Sequence, residues 1–169
     1  MNSKGIPLAT VGLFVAWLTH DLEELATMTG TSRTLVQQLP AWMPVPGSIR
    51  EQGLTERYLA TGIATIGLIV AAAAIRGYRT QGRSAFYQNT LLAFGLHGLG
   101  HLAASLITRG YTSGVATVPL VVLFWLWATR ALQEAGVPNR RSVPAAIALL
   151  AGFLAVGHVT ADVLTGNKP

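Results

Sequence analysis

The chain has 169 residues, of which 51% are hydrophobic and only 11% charged, and its mean hydropathy is +0.46. A soluble domain carries about 25% charged residues, so this composition excludes an ordinary soluble globule and points to a membrane bundle. The net charge of +5 does not signal nucleic acid, because Lys and Arg lie in short connectors between apolar runs, and the absence of Cys excludes disulfides, thiolate metal sites and a cysteine nucleophile.

A helix crossing a hydrocarbon core about 30 Å thick needs about 20 mostly apolar residues. Five stretches qualify, which predicts an all-α integral membrane bundle of five transmembrane helices in a single domain, 1–169. The first span, 6–25, follows an N-terminus without a signal-peptide cleavage pattern and is expected to be retained. Its apolar part ends at Thr19, and the polar string HDLEE (His20 to Glu24) follows while the helix is still in or near the bilayer. The connector 27–57 mixes Leu35, Val36, Leu39, Trp42, Met43 and Val45 with prolines, which suits one long interfacial loop and a lid. The second span is 58–75. The third, 86–108, has no charged side chain yet carries LHGLGH, with His97 and His101 one helical turn apart. The fourth is 111–129, and the fifth, 142–164, contains His158 and Asp162.

Basic residues accumulate in cytoplasmic loops. With five spans, Lys4, Arg76, Arg79, Arg83, Arg130, Arg140 and Arg141 fall on one side, against Arg33, Arg50, Arg57, Arg109 and Lys168 on the other. This places the N-terminus inside and the C-terminus outside, with a bacterial cytoplasmic membrane as the expected location. Membrane lipids are then the surroundings, and the many small residues, 18 Gly among them, permit a homo-oligomer as well as close packing within one chain.

Spans one, three and five run in the same direction, so depths can be compared. His20, His101 and His158 come 14, 15 and 16 residues after the starts of their spans. At 1.5 Å per residue all three lie about 21 to 24 Å from the cytoplasmic ends. Each helix also offers a second polar group four residues from the first, as His20 and Glu24, His97 and His101, and His158 and Asp162. Such pairs share one helix face. Glu23 can join the His20 face, whereas Asp21 turns away and reads as an interfacial residue. Together these are four His, which is every His in the chain, and three carboxylates.

Imidazole and carboxylate suit zinc, iron or manganese, and facing helices of a bundle are where carboxylate-bridged metal sites are built. Seven ligands exceed the needs of one tetrahedral zinc, which leaves open either two divalent ions or one ion with residues that orient its ligands. A lone membrane His is more often a packing residue that bonds across helices, but three matched pairs at one depth are not packing accidents. Glu23 and Glu24, near the expected helix end, could alternatively reach interfacial water, and Asp162 lies close to the chain end. Trp125, Trp127, Tyr111 and Phe124 read as core or aromatic belt.

His20-Asp21-Leu22-Glu23-Glu24 has the form His, any two, Glu, Glu, and the later HGLGHLAASLITRGYTSGVATVPL gives His, any three, His, then Tyr111, Gly114 and Pro119. Together these resemble the HXXEE-domain family of small integral membrane proteins. The resemblance implies a multi-span protein with a suspected metal centre and no settled reaction, and it carries over onto His20, Glu23, Glu24, His97 and His101.

The leading functional expectation is a metal-dependent membrane enzyme acting on a lipophilic substrate, because the site lies below the outer interface and no sizeable soluble domain is present to deliver a polar one. Iron would activate oxygen, and zinc would activate water for hydrolysis with Glu23 or Glu24 as general base. The seven ligands lean toward oxidative chemistry at a dinuclear centre. The alternatives are a zinc-type membrane hydrolase, a metal-free acid and base isomerase or cyclase of a lipid or terpenoid, and a metal or small-molecule transporter. The almost wholly apolar inner halves of the spans count against the transporter.

Overall fold

The structure is a computed structural model that describes residues 5–38, 42 and 47–166. Its elements are α1 (Gly5–Gln38), α2 (Gly47–Gln52), α3 (Glu56–Arg79), α4 (Ala85–Thr108), a 3-10 turn (Val115–Thr117), α5 (Val118–Glu134) and α6 (Val143–Thr165). Five of the helices are long and apolar enough to cross a membrane. The described residues contain no strand.

The largest departure from the expected spans is α1, which is 34 residues long and therefore about 51 Å from end to end. The helix that carries the first span does not end at residue 25, and residues 27–38 of the expected connector are helical. No proline occurs between Pro7 and Pro40, so no proline interrupts the helix along Gly5–Gln38 after its first turn. The polar stretch stays helical because Thr27 and Thr31 return their hydroxyls to carbonyls one turn back, at 2.8 and 3.2 Å. The connector's described end is tied to α1, since the Leu54 amide donates to Ser32 Oγ at 3.0 Å and α2 packs beside it. Of the expected interfacial loop and lid, 27–57, residues 27–38 continue α1 and Gly47–Gln52 form α2, while 39–41 and 43–46 lie outside the described residues.

The remaining helices begin where the sequence caps them. Thr55 and Ser84 accept the amides of Tyr58 and Tyr87 and open α3 and α4, while Pro119 and Pro144 sit in the first turns of α5 and α6, where a missing N–H costs nothing. The fourth span starts later than expected. Residues 109–114 form a loop instead of helix, with Arg109 and Gly114 in left-handed conformations at φ 50° and 86°.

In the bundle α1 packs along α3 and α5, α3 also along α6, and α4 against α5 and α6. Aromatic rings fill sockets left by glycines. Trp17 of α1 lies on Gly67 of α3, Phe124 of α5 on Gly12 of α1, and Trp125 of α5 on Gly95 of α4, and in each case an added Cβ would come within 2.7 Å of the ring. Leu13, Leu91, Val121 and Ala128 complete the fully buried centre. Large apolar side chains such as Leu68, Leu106, Ile107 and Val163 are exposed on the outside, which lipid tolerates and water does not. At the other end from the site, the buried amides Gln88 and Asn89 hold the loop before α6 through Pro138, Arg140 and Ser142. The backbones of α1 and α4 meet over only a short stretch. The space between them is filled by side chains, Leu13, Trp17, Tyr87, Leu91 and Phe94 along most of it and the polar group His20, Glu24, His97 and His101 at one end.

Candidate metal centre

The long α1 carries HDLEE in mid-helix, with His20 buried completely. His20 and Glu24 point from one face toward α4, where His97 and His101 face back. One ligand atom from each of His20, Glu24, His97 and His101 lies within 4.8 Å of the others. Two ligands bound at about 2.1 Å to one ion are about 3.4 Å apart at tetrahedral angles and at most about 4.2 Å apart, so side-chain movements of about an ångström close the group on an ion.

The hydrogen bonds around the group set which ring nitrogens are free. His101 Nδ1 lies 2.6 Å from the Ser113 carbonyl, which can only accept, so Nδ1 carries the proton. His101 Nε2 then faces Glu24 Oε1 at 3.0 Å and His97 Nε2 at 3.0 Å. Glu24 Oε2 lies 3.9 Å from His97 Nε2. His20 Nδ1 is 2.7 Å from Thr117 Oγ1. The Thr117 hydroxyl donates to Glu23 Oε2 at 2.7 Å, so it accepts from His20 Nδ1–H, and His20 Nε2 is left buried with no partner. Lone pairs therefore converge between α1 and α4, and convergent acceptors require a proton or a cation among them. A histidine whose second nitrogen donates to a carbonyl or a carboxylate relay is the arrangement that orients metal ligands.

Glu23 takes a different place from the one its spacing suggested. About 100° around the helix from Glu24, it turns to the 3-10 turn and accepts from Tyr111 Oη at 2.6 Å, Ala116 N at 3.0 Å, Thr117 N at 2.8 Å and Thr117 Oγ1. The carboxylate holds the Tyr111 hydroxyl's pKa above its ordinary value through that hydrogen bond. Glu23 is thus outside the group of four and clamps the turn that orients His20. Tyr111 is part of this clamp and not simply a belt residue.

His158 and Asp162 are also outside the group. His158 Nδ1 pairs with Tyr58 Oη at 2.9 Å, and Asp162 interacts with the same hydroxyl, so this polar cluster lies between α3 and α6. Depth placed the three histidines in one layer, but depth does not fix the angle around the bundle. The group therefore gathers four of the seven expected ligands, the number that one ion takes. Asp21, read as interfacial, is instead buried, with Oδ2 unpartnered, and lines a cavity together with Glu24 and His97. The i, i+3 spacing from Asp21 to Glu24 was the signal for it.

No curated protein and no solved structure matches the chain. A family model does, described as a protein of unknown function with HXXEE motif, over residues 11–129. The chain belongs to the HXXEE family. The matched stretch contains all four residues of the group, Glu23 and its clamp, and leaves out His158 and Asp162. In this member of the HXXEE family the motif's His and last Glu face the centre, and its first Glu holds the covering turn.

Gly114 shows how tightly that turn sits. An added Cβ would come 2.8 Å from His101 Nδ1 and 2.9 Å from His20 Cε1. Gly114→Ala is expected to cost about 1–3 kcal/mol from the left-handed backbone alone and to push both imidazoles aside. Gly114→Asn relieves the backbone cost but keeps the clash. If the clash dominates, both variants lose bound metal and only the alanine variant shows the full fall in unfolding temperature. Of the two glycines in LHGLGH, Gly98 lets Val121 of α5 close on α4, and Gly100 has open space around its Cα.

Proposed function

We propose that this protein is an intramembrane metalloenzyme that acts on a lipophilic substrate at a single ion held by His20, Glu24, His97 and His101. The observation that carries this is the convergence of three imidazoles and one carboxylate, one ligand atom from each within 4.8 Å of the others, inside an apolar bundle. Buried ionisable groups in a membrane segment are costly and mark functional sites. Three imidazoles and one carboxylate fill a tetrahedral zinc but leave two positions on a six-coordinate iron or manganese ion, which favours oxidative chemistry over hydrolysis. When bound, iron would supply oxygen activation for hydroxylation or desaturation, drawing on an external reductant.

The chain's own part is orientation and exclusion. The Ser113 carbonyl and the Glu23–Thr117 relay hold His101 and His20 in one tautomer each. Residues 109–117 cover the centre on one side, and Phe94 and Trp17 pack on the other. We place the N-terminus inside and the centre in the outer half of the membrane, on the Lys and Arg distribution.

Metal analysis of protein purified without added metal tests the proposal. About one equivalent of iron per chain, lost in His101→Ala, is the expected result, and zinc in its place would favour hydrolysis. A second reading draws on the 3.0 Å contact of His101 Nε2 with Glu24 Oε1, which is also a ready ion pair for metal-free acid and base chemistry. A metal-free protein that binds no divalent ion on titration would overturn the metalloenzyme and leave that reading.

A further inference from the structure

Beside the centre lies a cavity of about 90 Å³ whose polar end is Asp21, Glu24 and His97 and whose other walls include Trp17, Phe94 and Phe153. Its least satisfied atom is Asp21 Oδ2, on a side chain only 4% exposed and without any hydrogen-bond partner. Glu24 and His97 belong to the centre, whereas no hydrogen bond of the Asp21 side chain is found among the described residues. A buried acceptor without a donor is unfavourable, and a mostly apolar wall excludes a wholly polar occupant.

We propose that this cavity is the substrate chamber and that it takes a single-chain amphiphile whose head offers an O–H or N–H to Asp21. This deepens the metalloenzyme proposal and rests on it for the reaction, though not for the binding. The volume decides the shape of the occupant. A water needs about 10–15 Å³ of such space, and a drug-sized ligand needs about 300 Å³ or more, so one narrow segment of a chain fits and a fused ring system does not. For the rest of the chain to follow, the side chains that wall the chamber on the α3 and α6 side must give way. The chamber shares Ile63, Ile66 and Leu154 with a second cavity of about 80 Å³ in the seam of α3 and α6. There Gly62 and Gly157 bring the two backbones into contact. The head at Asp21 sets the carbon next to it beside Glu24 and His97, at the edge of the centre.

Trp17 lines the chamber and reports on it. The full chain in detergent micelles is titrated with long-chain probes brominated near the head, an alcohol, a primary amine and the methyl ether of the alcohol, and tryptophan quenching is read. The wild-type protein should bind the alcohol or the amine at least tenfold more tightly than the ether, and the saturable part of the quenching should be lost in Trp17→Phe while the exposed Trp42 and Trp127 give a non-saturable background. Asp21→Leu should abolish that preference while still binding the ether. The alcohol and amine arms decide which donor the head carries. Equal binding of donor and ether probes by the wild-type protein, or an unchanged preference in Asp21→Leu, overturns the proposal and leaves water as the partner of Asp21. Since the wild-type comparison needs no variant to fold, it stands by itself. Repeating the titration on chelator-stripped protein separates the two proposals. Preference without any metal binding keeps the chamber and sinks the metalloenzyme, and full metal without preference does the reverse.

Discussion

Glu24→Gln is expected to lose at least nine-tenths of the bound metal and keep the fold. Glu24 is the one carboxylate among the four candidate ligands, and its Oε1 lies 3.0 Å from His101 Nε2. A glutamine amide placed there can donate to that nitrogen, because an amide offers two N–H groups where a carboxylate offers none. The substitution removes the charge that favours a cation and supplies the proton that the metal-free arrangement lacks. The unfolding free energy of the stripped protein should accordingly stay within about 1 kcal/mol of the stripped wild type. Metal content by mass spectrometry and thermal unfolding with and without chelator read the two effects separately. Full metal content in Glu24→Gln would show that Glu24 is not a ligand.

Glu23→Ala should behave differently. Glu23 accepts from Tyr111, Ala116 and Thr117 and touches none of the convergent atoms, so its loss acts through His20. Removing a partner that orients a ligating histidine typically costs about 10–100-fold in metal affinity. Competition with a chelator of known affinity should therefore show a weakened site and not an absent one. Thr117→Val should shift affinity the same way, because it cuts the hydroxyl link to His20 Nδ1 while the Thr117 amide still reaches Glu23. If Glu23→Ala is as empty as His101→Ala, Glu23 is a ligand itself and the clamp is secondary.

The contrast between these adjacent glutamates marks how far the sequence could be read. Periodicity and spacing sufficed for five apolar helices and for the i, i+4 pairs of α1 and α4, because both are local properties of one helix. His20, Glu24, His97 and His101 followed from that. The assignments of His158, Asp162 and Glu23 required the rotation of each helix about its axis. Partners distant in sequence set this rotation, as when Trp17 seats on Gly67 or Trp125 on Gly95. The extent of α1 was legible from the lack of proline before Pro40, a signal outweighed by the polarity of HDLEE. Residues 109 and 110 fell between the third and fourth spans, but 111–114 were read as the start of the fourth and instead stay outside the helix to supply the Ser113 carbonyl. Only Gly114, quoted with the motif for its spacing, hinted at a turn there.

The short meeting of α1 and α4 has a mechanical consequence. Where two helices meet through side chains more than backbone, an ion bonded to both would be a cross-link, and the long chain between them would become a closed loop. Binding free energy at the centre is then also folding free energy, and the stripped protein should be loosest along this one boundary. Metal supply would set how rigid the bundle is at the depth where its chamber opens, which joins loading of the centre to admission of whatever occupies the space beside Asp21.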